Sequence, residues 1–212
     1  MKAELIDFLG NDDTVVNAAR VSFDKEAGQY SKDKNSKLIG YLARHGHFTP
    51  FTHAQITLRY TVPIFIARQE AKHQVGFTRN EVSRRYVDDE PEFFLPDNWR
   101  KRPDGSVKQG SGSNLEEHDD LAADEMYLAA VQSCENAYFY LLEQGVAPEQ
   151  ARMVLPQSMY TSYYITGSLA AFARFYRQRT DSHAQVEIQE LAHQVGDIIS
   201  PLFPVSWEAL TQ

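Results

Sequence analysis

The chain has one cysteine, Cys134, among 212 residues. A single thiol excludes an internal disulfide and any zinc site built on paired cysteines. It suits a reducing compartment, and we expect a cytoplasmic protein. Tryptophan is scarce, with two residues. No stretch approaches the eighteen or so consecutive apolar residues that a membrane-spanning helix needs. The opening MKAELIDFLGNDDTVV carries acids early and has no long apolar core, so no secretory signal is expected there. Positive charge is also short: 21 Lys and Arg against 29 Asp and Glu give a formal net charge of −8. That balance argues against a protein that coats nucleic acid. A small phosphorylated ligand needs no more than a local cluster of positive charge.

Hydrophobic residues make up 42% and aromatic residues 12%, enough for a substantial core. We expect one α+β domain over residues 1–212, helix-rich, with a small antiparallel sheet. Residues 3–8 read as a strand, followed by a turn at Gly10 to Asp12 and a helix through Ala19. Residues 24–36 are polar and read as a surface loop, with a short helix over 36–45. Residues 53–62 alternate, with Ala54, Ile56, Leu58, Tyr60 and Val62 apolar, which predicts a half-buried strand. Pro63 then opens a helix from Ile64 to about His73, closed by Gly76. Residues 82–87 read as a strand. The run PDNWRKRPDGSVKQGSGS predicts a variable loop over about 97–113, mobile without substrate and near the mouth of a site. Ser113 or Asn114 is the expected cap of a long helix with Met126, Ala130, Cys134, Ala137 and Leu141 on its apolar stripe, ended by Gly145. Pro148 opens a short helix, residues 168–178 read as another, and a final one is capped at Asp181 or Ser182 and runs to about Ser200.

Three islands carry chemistry. His45, His47 and His53 lie within nine residues, at a spacing that matches no common zinc pattern. They read either as a turn entering a strand or as donors and acceptors for an aromatic or phosphorylated ligand. Residues 68–85 hold five Lys or Arg against two Glu, local positive charge in an acidic chain, so an anionic ligand and a solvated helix face are both open. The third island is Arg152 with Arg174, Arg177 and Arg179, followed by DSHAQ. Arginine suits bidentate recognition of phosphate.

The stretches AARVSF (18–23), HGHFTPFTH (45–53), PIFIARQ (63–69), NEVSRRY (80–86), ARMVLP (151–156) and RTDSHAQVEIQ (179–189) occur in this order. Together they resemble the flavin-dependent thymidylate synthases, over about residues 15–208. The resemblance implies reductive methylation of dUMP to dTMP, with FAD as cofactor and NADPH and methylenetetrahydrofolate as co-substrates. It implies a homotetramer whose sites are shared between subunits. It implies FAD contacts from Ser22, His47, Thr49, Lys72, His73, Gln74, Asn80, Glu81, Ser168 and His183. It implies dUMP contacts from Gln69, Lys72, Ser83, Arg84, Arg85, Arg152 and Arg179, with Arg179, Ser83 and Glu81 in the catalytic set. No metal, nucleic acid or membrane is implied. The family's Arg-His-Arg signature reads Lys72-His73-Gln74 here, and eight residues rather than seven precede Ser83. Lysine supplies charge but no planar fork, and Gln74 supplies none. Two other readings stand beside this one: a flavoprotein oxidoreductase acting on another nucleotide or folate, and a non-catalytic nucleotide-binding relative.

Overall fold

The computed structural model describes residues 1–103 and 110–212. In chain order its strands are β1 (Lys2–Leu9), β2 (Gln55–Pro63), β3 (Phe77–Glu81) and β4 (Tyr160–Ser168). Its helices are α1 (Asp12–Arg20), α2 (Lys32–Arg44), α3 (Ile64–Glu70), α4 (Glu117–Glu143), α5 (Pro148–Ala151), α6 (Leu169–Arg179), α7 (Val186–Ile199) and α8 (Pro204–Thr211). The chain forms two compact units. One holds Met1–Tyr60, Gln69–Asn80 and Tyr163–Gln212; the other holds Thr61–Arg68 and Glu81–Ser162.

The described strands form one sheet in the order β1-β2-β4-β3. On β2, Ile56, Leu58, Tyr60 and Val62 are fully buried, as the alternation requires. The Thr57 and Thr166 hydroxyls lie 2.9 Å apart, and those of Thr61 and Ser162 lie 3.4 Å apart. One sequence number rises as the other falls, so β2 and β4 run antiparallel. Gly167 on β4 permits a close approach: a Cβ there would meet the Phe77 ring at 2.3 Å.

In the first unit the Asn11 side chain accepts from the Thr14 amide and Thr14 answers it, closing a capping box on α1. Ser31 caps α2 and Ser168 caps α6. Helices α6, α7 and α8 bury Phe172, Phe175, Ile188, Leu191 and Trp207. Phe203, in the turn before α8, adds a fully buried ring that meets Phe8 edge-on at 6.3 Å. In the second unit α4 buries Val131 and Tyr138, two turns apart on one face. Trp99 donates from its backbone to Asp120 and from its indole to Asp124. These bonds hold the segment around Trp99 against α4.

Several expectations are corrected. Helix α2 begins at Lys32, not near 36, because Ser31 caps it and Lys37 pairs with Asp33 one turn back. Helix α3 ends at Glu70, and Gly76 (φ +83) belongs to the turn before β3. Residues 82–87 are not a strand: Val82 and Tyr86 are exposed, and the Tyr86 amide folds back to the Ser83 carbonyl. The strand of that region is β3, just before. Helix α4 starts at Glu117, beyond both expected caps, and its buried stripe is rotated, leaving Met126 and Ala130 exposed. Gln185 rather than Asp181 or Ser182 precedes α7, because Asp181 turns its carboxylate to the His183 amide. Strand β4 and helix α8 are additional elements that the sequence patterns do not predict. The expected loop over 97–113 includes residues 104–109, which lie outside the described residues. On either side of them the backbone pairs, with the Lys101 amide on the Ser113 carbonyl at 2.8 Å.

Candidate active site

The first unit gathers one cluster around the end of α3, the turn after it and the end of α6. His73 is buried, 6% exposed, and its ring meets Phe175 edge-on at 5.1 Å. Arg179 Nε donates to His73 Nε2 at 2.8 Å, and Arg179 Nη2 donates to the Gln69 carbonyl at 3.1 Å. A guanidinium has donors alone, so Nε2 is the acceptor and the neutral ring carries its proton on Nδ1. Burial, and then the positive charges of Arg179, Arg174 and Arg79, push the His73 pKa down to about 4. Burial also lowers the Arg179 pKa. Arg179 keeps its charge at neutral pH and is anchored before any ligand arrives.

Beneath this pair, Glu70 is 1% exposed. It accepts from Arg79 Nε at 2.8 Å and Nη2 at 2.6 Å, and from the Tyr163 hydroxyl at 3.2 Å. Burial first, and then the negative charge of Glu70, raise the Tyr163 pKa, so its hydroxyl stays a donor. Glu70, Arg79 and Tyr163 were not among the expected site residues. The one signal was a glutamate amid the basic residues of 68–85, which did not show that Arg79 lies beside it.

Lys72, Gln74 and Asn80 are exposed around buried His73. Lys72 lies past the end of α3, so it does not share a helix face with Arg68. The Gln69 amide bonds to the Gln185 side chain, tying α3 to the entry of α7. His183 is exposed, with its imidazole 2.9 Å from the Asp181 carboxylate. Ser168 is 5% exposed, and its hydroxyl accepts from the Ala171 amide at the cap of α6. Ser22, His47 and Thr49 do come together, lining one cavity of about 350 Å³. Ala18, Ala19 and Pro50 share its wall. The Ser22 and Thr49 hydroxyls and the His47 imidazole give this cavity donors and acceptors for a polar ligand.

The second unit has its own cleft, of about 720 Å³. Arg68, Arg84 and Arg152 line it together with five acids, Glu81, Asp89, Glu90, Glu92 and Glu149, and Met153 and Tyr160 form part of its apolar wall. Glu81 accepts from the Thr161 hydroxyl at 2.6 Å. Arg152 donates to the Glu149 carbonyl at 3.2 Å, and Arg84 donates to the Asp89 carbonyl. Arg85 folds back on Ser83, with its Nε 3.4 Å from the hydroxyl, and over Tyr86. The sequence singled out Arg84, Arg152 and Glu81 as site residues; it did not place Arg68 or Thr161 with them.

The depressed pKa of His73 has a consequence for stability. Unfolded, a histidine takes its proton near 6.5; folded, His73 takes it at about 4. Between these values the unfolded chain binds the additional proton. The contribution of neutral His73 is therefore complete above about 6.5 and is lost as pH falls toward about 4. Thermal melts across this range should show a flatter pH dependence for His73→Gln than for the natural chain. An equal slope in both would contradict a buried neutral imidazole.

Fold and clusters together define a helix-rich α+β protein with arginines gathered at two places, around His73 and along the cleft of the second unit. The profile of the thymidylate synthase complementing protein family matches residues 4–205. The flavin-dependent thymidylate synthase of Thermosipho africanus is 40% identical, over 97% of this chain and 88% of its own. That of Thermus thermophilus is 35% identical, over 98% of this chain and 74% of its own. A solved UMP/dUMP methylase, PolB from Streptomyces cacaoi bound with 5-Br dUMP, superposes with a TM-score of 0.88 at 32% identity, covering 99% of this chain and 94% of PolB. The chain belongs to the flavin-dependent thymidylate synthase family.

Proposed function

We propose that the chain methylates dUMP reductively to dTMP, with FAD as bound cofactor and methylenetetrahydrofolate and NADPH as co-substrates. The observation that carries this reading is membership of this family; beside it, Arg68, Arg84 and Arg152 reach one cleft, alongside Glu81 and four further acids. Three guanidinia suit a nucleotide phosphate. The Glu81 carboxylate suits a hydroxyl or ring N–H of the same ligand.

In this reading Arg84, Arg85, Arg152 and Arg179, with Gln69, Lys72 and Ser83, bind dUMP. Arg179 also favours the negatively charged form of the pyrimidine and so raises the nucleophilicity of C5. Ser22, His47 and Thr49 hold FAD, with His73, Lys72, Gln74, Asn80, Glu81, Ser168 and His183 completing its surroundings. FAD supplies the hydride chemistry when bound. A cytoplasmic setting belongs to the same proposal, in keeping with a single cysteine.

A homotetramer with sites shared between subunits is also proposed, supported by the family. Light scattering of flavin-loaded protein should give four times the 24.2 kDa chain mass. A monomer that holds FAD tightly would contradict it.

The nucleophile follows from the same geometry. Cys134 lies half-buried in mid-α4, next to Ser133 and Glu135, with no adjacent basic residue in sequence to promote a thiolate. The Ser83 hydroxyl accepts from the Arg85 amide, and no carboxylate or imidazole is among its hydrogen-bond partners in the described residues. We therefore expect Cys134→Ala to retain near-normal turnover. Ser83→Ala should lose activity through dUMP positioning yet keep a measurable rate. Mass spectrometry of quenched turnover should show no nucleotide adduct on either residue. An adduct, with total loss of dTMP formation in the matching variant, would overturn this route.

UMP is a second substrate to set beside dUMP, because the structural relative is described as a UMP/dUMP methylase. Parallel assays with UMP and dUMP separate the two. The dTMP reading fails if methylation is confined to UMP.

A further inference from the structure

We infer that Glu70 and Arg79 are positioning residues for Arg179, acting through His73; the consequence for dUMP rests on the function proposed above. Buried ion pairs are poor stabilisers, since well-packed apolar residues of similar volume often serve as well. The Glu70–Arg79 pair therefore calls for another account than stability. Its geometry gives one. Arg79 Nη2 donates to the Glu70 carboxylate at 2.6 Å and to the His73 backbone carbonyl, also at 2.6 Å. Two apolar side chains could fill the space but could not hold that carbonyl.

The His73 carbonyl lies in the irregular turn between the end of α3 and β3. The His73 amide donates to the Glu70 carbonyl at 2.9 Å, and the Arg79 guanidinium holds the carbonyl of the same residue, so both backbone groups of His73 are tied to the pair. The ring of the same residue accepts from Arg179 Nε at 2.8 Å. A continuous line of direct contacts thus runs from Tyr163 and Glu70 through Arg79 and His73 to Arg179. Arg79 and Arg179 are both cations, and they meet opposite ends of one neutral residue. Glu70 offsets the first charge, leaving the second for a ligand. Such support lets a binding group be held to a fraction of an ångström without its own burial being complete.

The test uses flavin-loaded enzyme and two variants. Arg79→Lys keeps a cation beside Glu70 but has no rigid fork to reach both acceptors. The double variant Glu70→Leu with Arg79→Met replaces the pair by apolar volume. We expect the double variant to stay folded and to melt above Glu70→Ala, and both variants to raise the KM for dUMP about tenfold, as displacement of a positioned group does. We also expect the ring ¹⁵N signals of His73 to lose the pattern of the Nδ1–H form. An unchanged KM in a folded variant overturns the inference, and so does an unchanged His73 signal. If the double variant does not fold, Arg79→Lys decides alone. Natural enzyme that makes no dTMP defeats the proposed function instead, and the His73 signal still judges the positioning role.

Discussion

Arg179→Ala is expected to weaken dUMP binding by about 2–3 kcal/mol, roughly 30- to 150-fold. The guanidinium sits at the C-terminal end of α6, partly buried, and is tethered by His73 and the Gln69 carbonyl. Burial lowers its pKa, which means the site bears a desolvation cost that an anionic ligand offsets. Its orientation is set in advance, so little side-chain entropy is lost when a ligand arrives. Removing it also leaves His73 Nε2 without its donor inside a buried site. Arg179→Lys should recover part of the loss, because a lysine restores charge but not the fork. Arg152→Ala should act in the same direction. Arg152 is exposed and held by one backbone carbonyl, so the smaller effect is expected there. Calorimetric titration of dUMP into flavin-loaded protein checks both variants. Unchanged affinity in the two would break the assignment of these arginines to the nucleotide.

Glu70→Ala is expected to have the largest effect on stability. The carboxylate is buried and accepts from two nitrogens of Arg79 and from Tyr163. Truncating it leaves a guanidinium whose side chain is 22% exposed without its counter-charge. Breaking such a pair on one side costs about 3–5 kcal/mol when burial is complete; the partial exposure of Arg79 places this case near about 3. For a chain of this size that is a fall of about 6–12 °C in Tm. The Glu70→Leu, Arg79→Met double variant should recover part of it, because the orphaned charge is gone while the Tyr163 hydroxyl and His73 carbonyl still lose their partners. A single variant that melts with the natural protein would show that Arg79 finds water or another partner.

Strand β2 was readable because its apolar and polar residues alternate strictly and its inward side chains are all large. Strand β4, its antiparallel neighbour, was not. In YTSYYITGS the buried positions are Thr161, Tyr163, Ile165, Gly167 and Ser168, while Tyr164 is exposed, so burial does not follow hydrophobicity. Gly167 is small because Phe77 occupies the space, a fact of tertiary structure. The stripe of α4 was misplaced because apolar residues occur around most of the helix: Leu121, Met126, Leu128 and Tyr140 are all exposed. The family itself was legible from the order of six short stretches, and the match over residues 4–205 agrees with it. The Glu70–Arg79 pair was not. The two are nine positions apart, and they meet because the chain turns sharply after α3. No helical or strand periodicity signals that meeting.

The most direct test of the account is dTMP formation by purified protein supplied with FAD, NADPH, methylenetetrahydrofolate and dUMP, with each omitted in turn. Product should form with the complete mixture, and omission of methylenetetrahydrofolate or dUMP should abolish it. NADPH consumption that proceeds at full rate with no dTMP in the complete mixture would contradict the account and leave a flavin oxidoreductase of another kind.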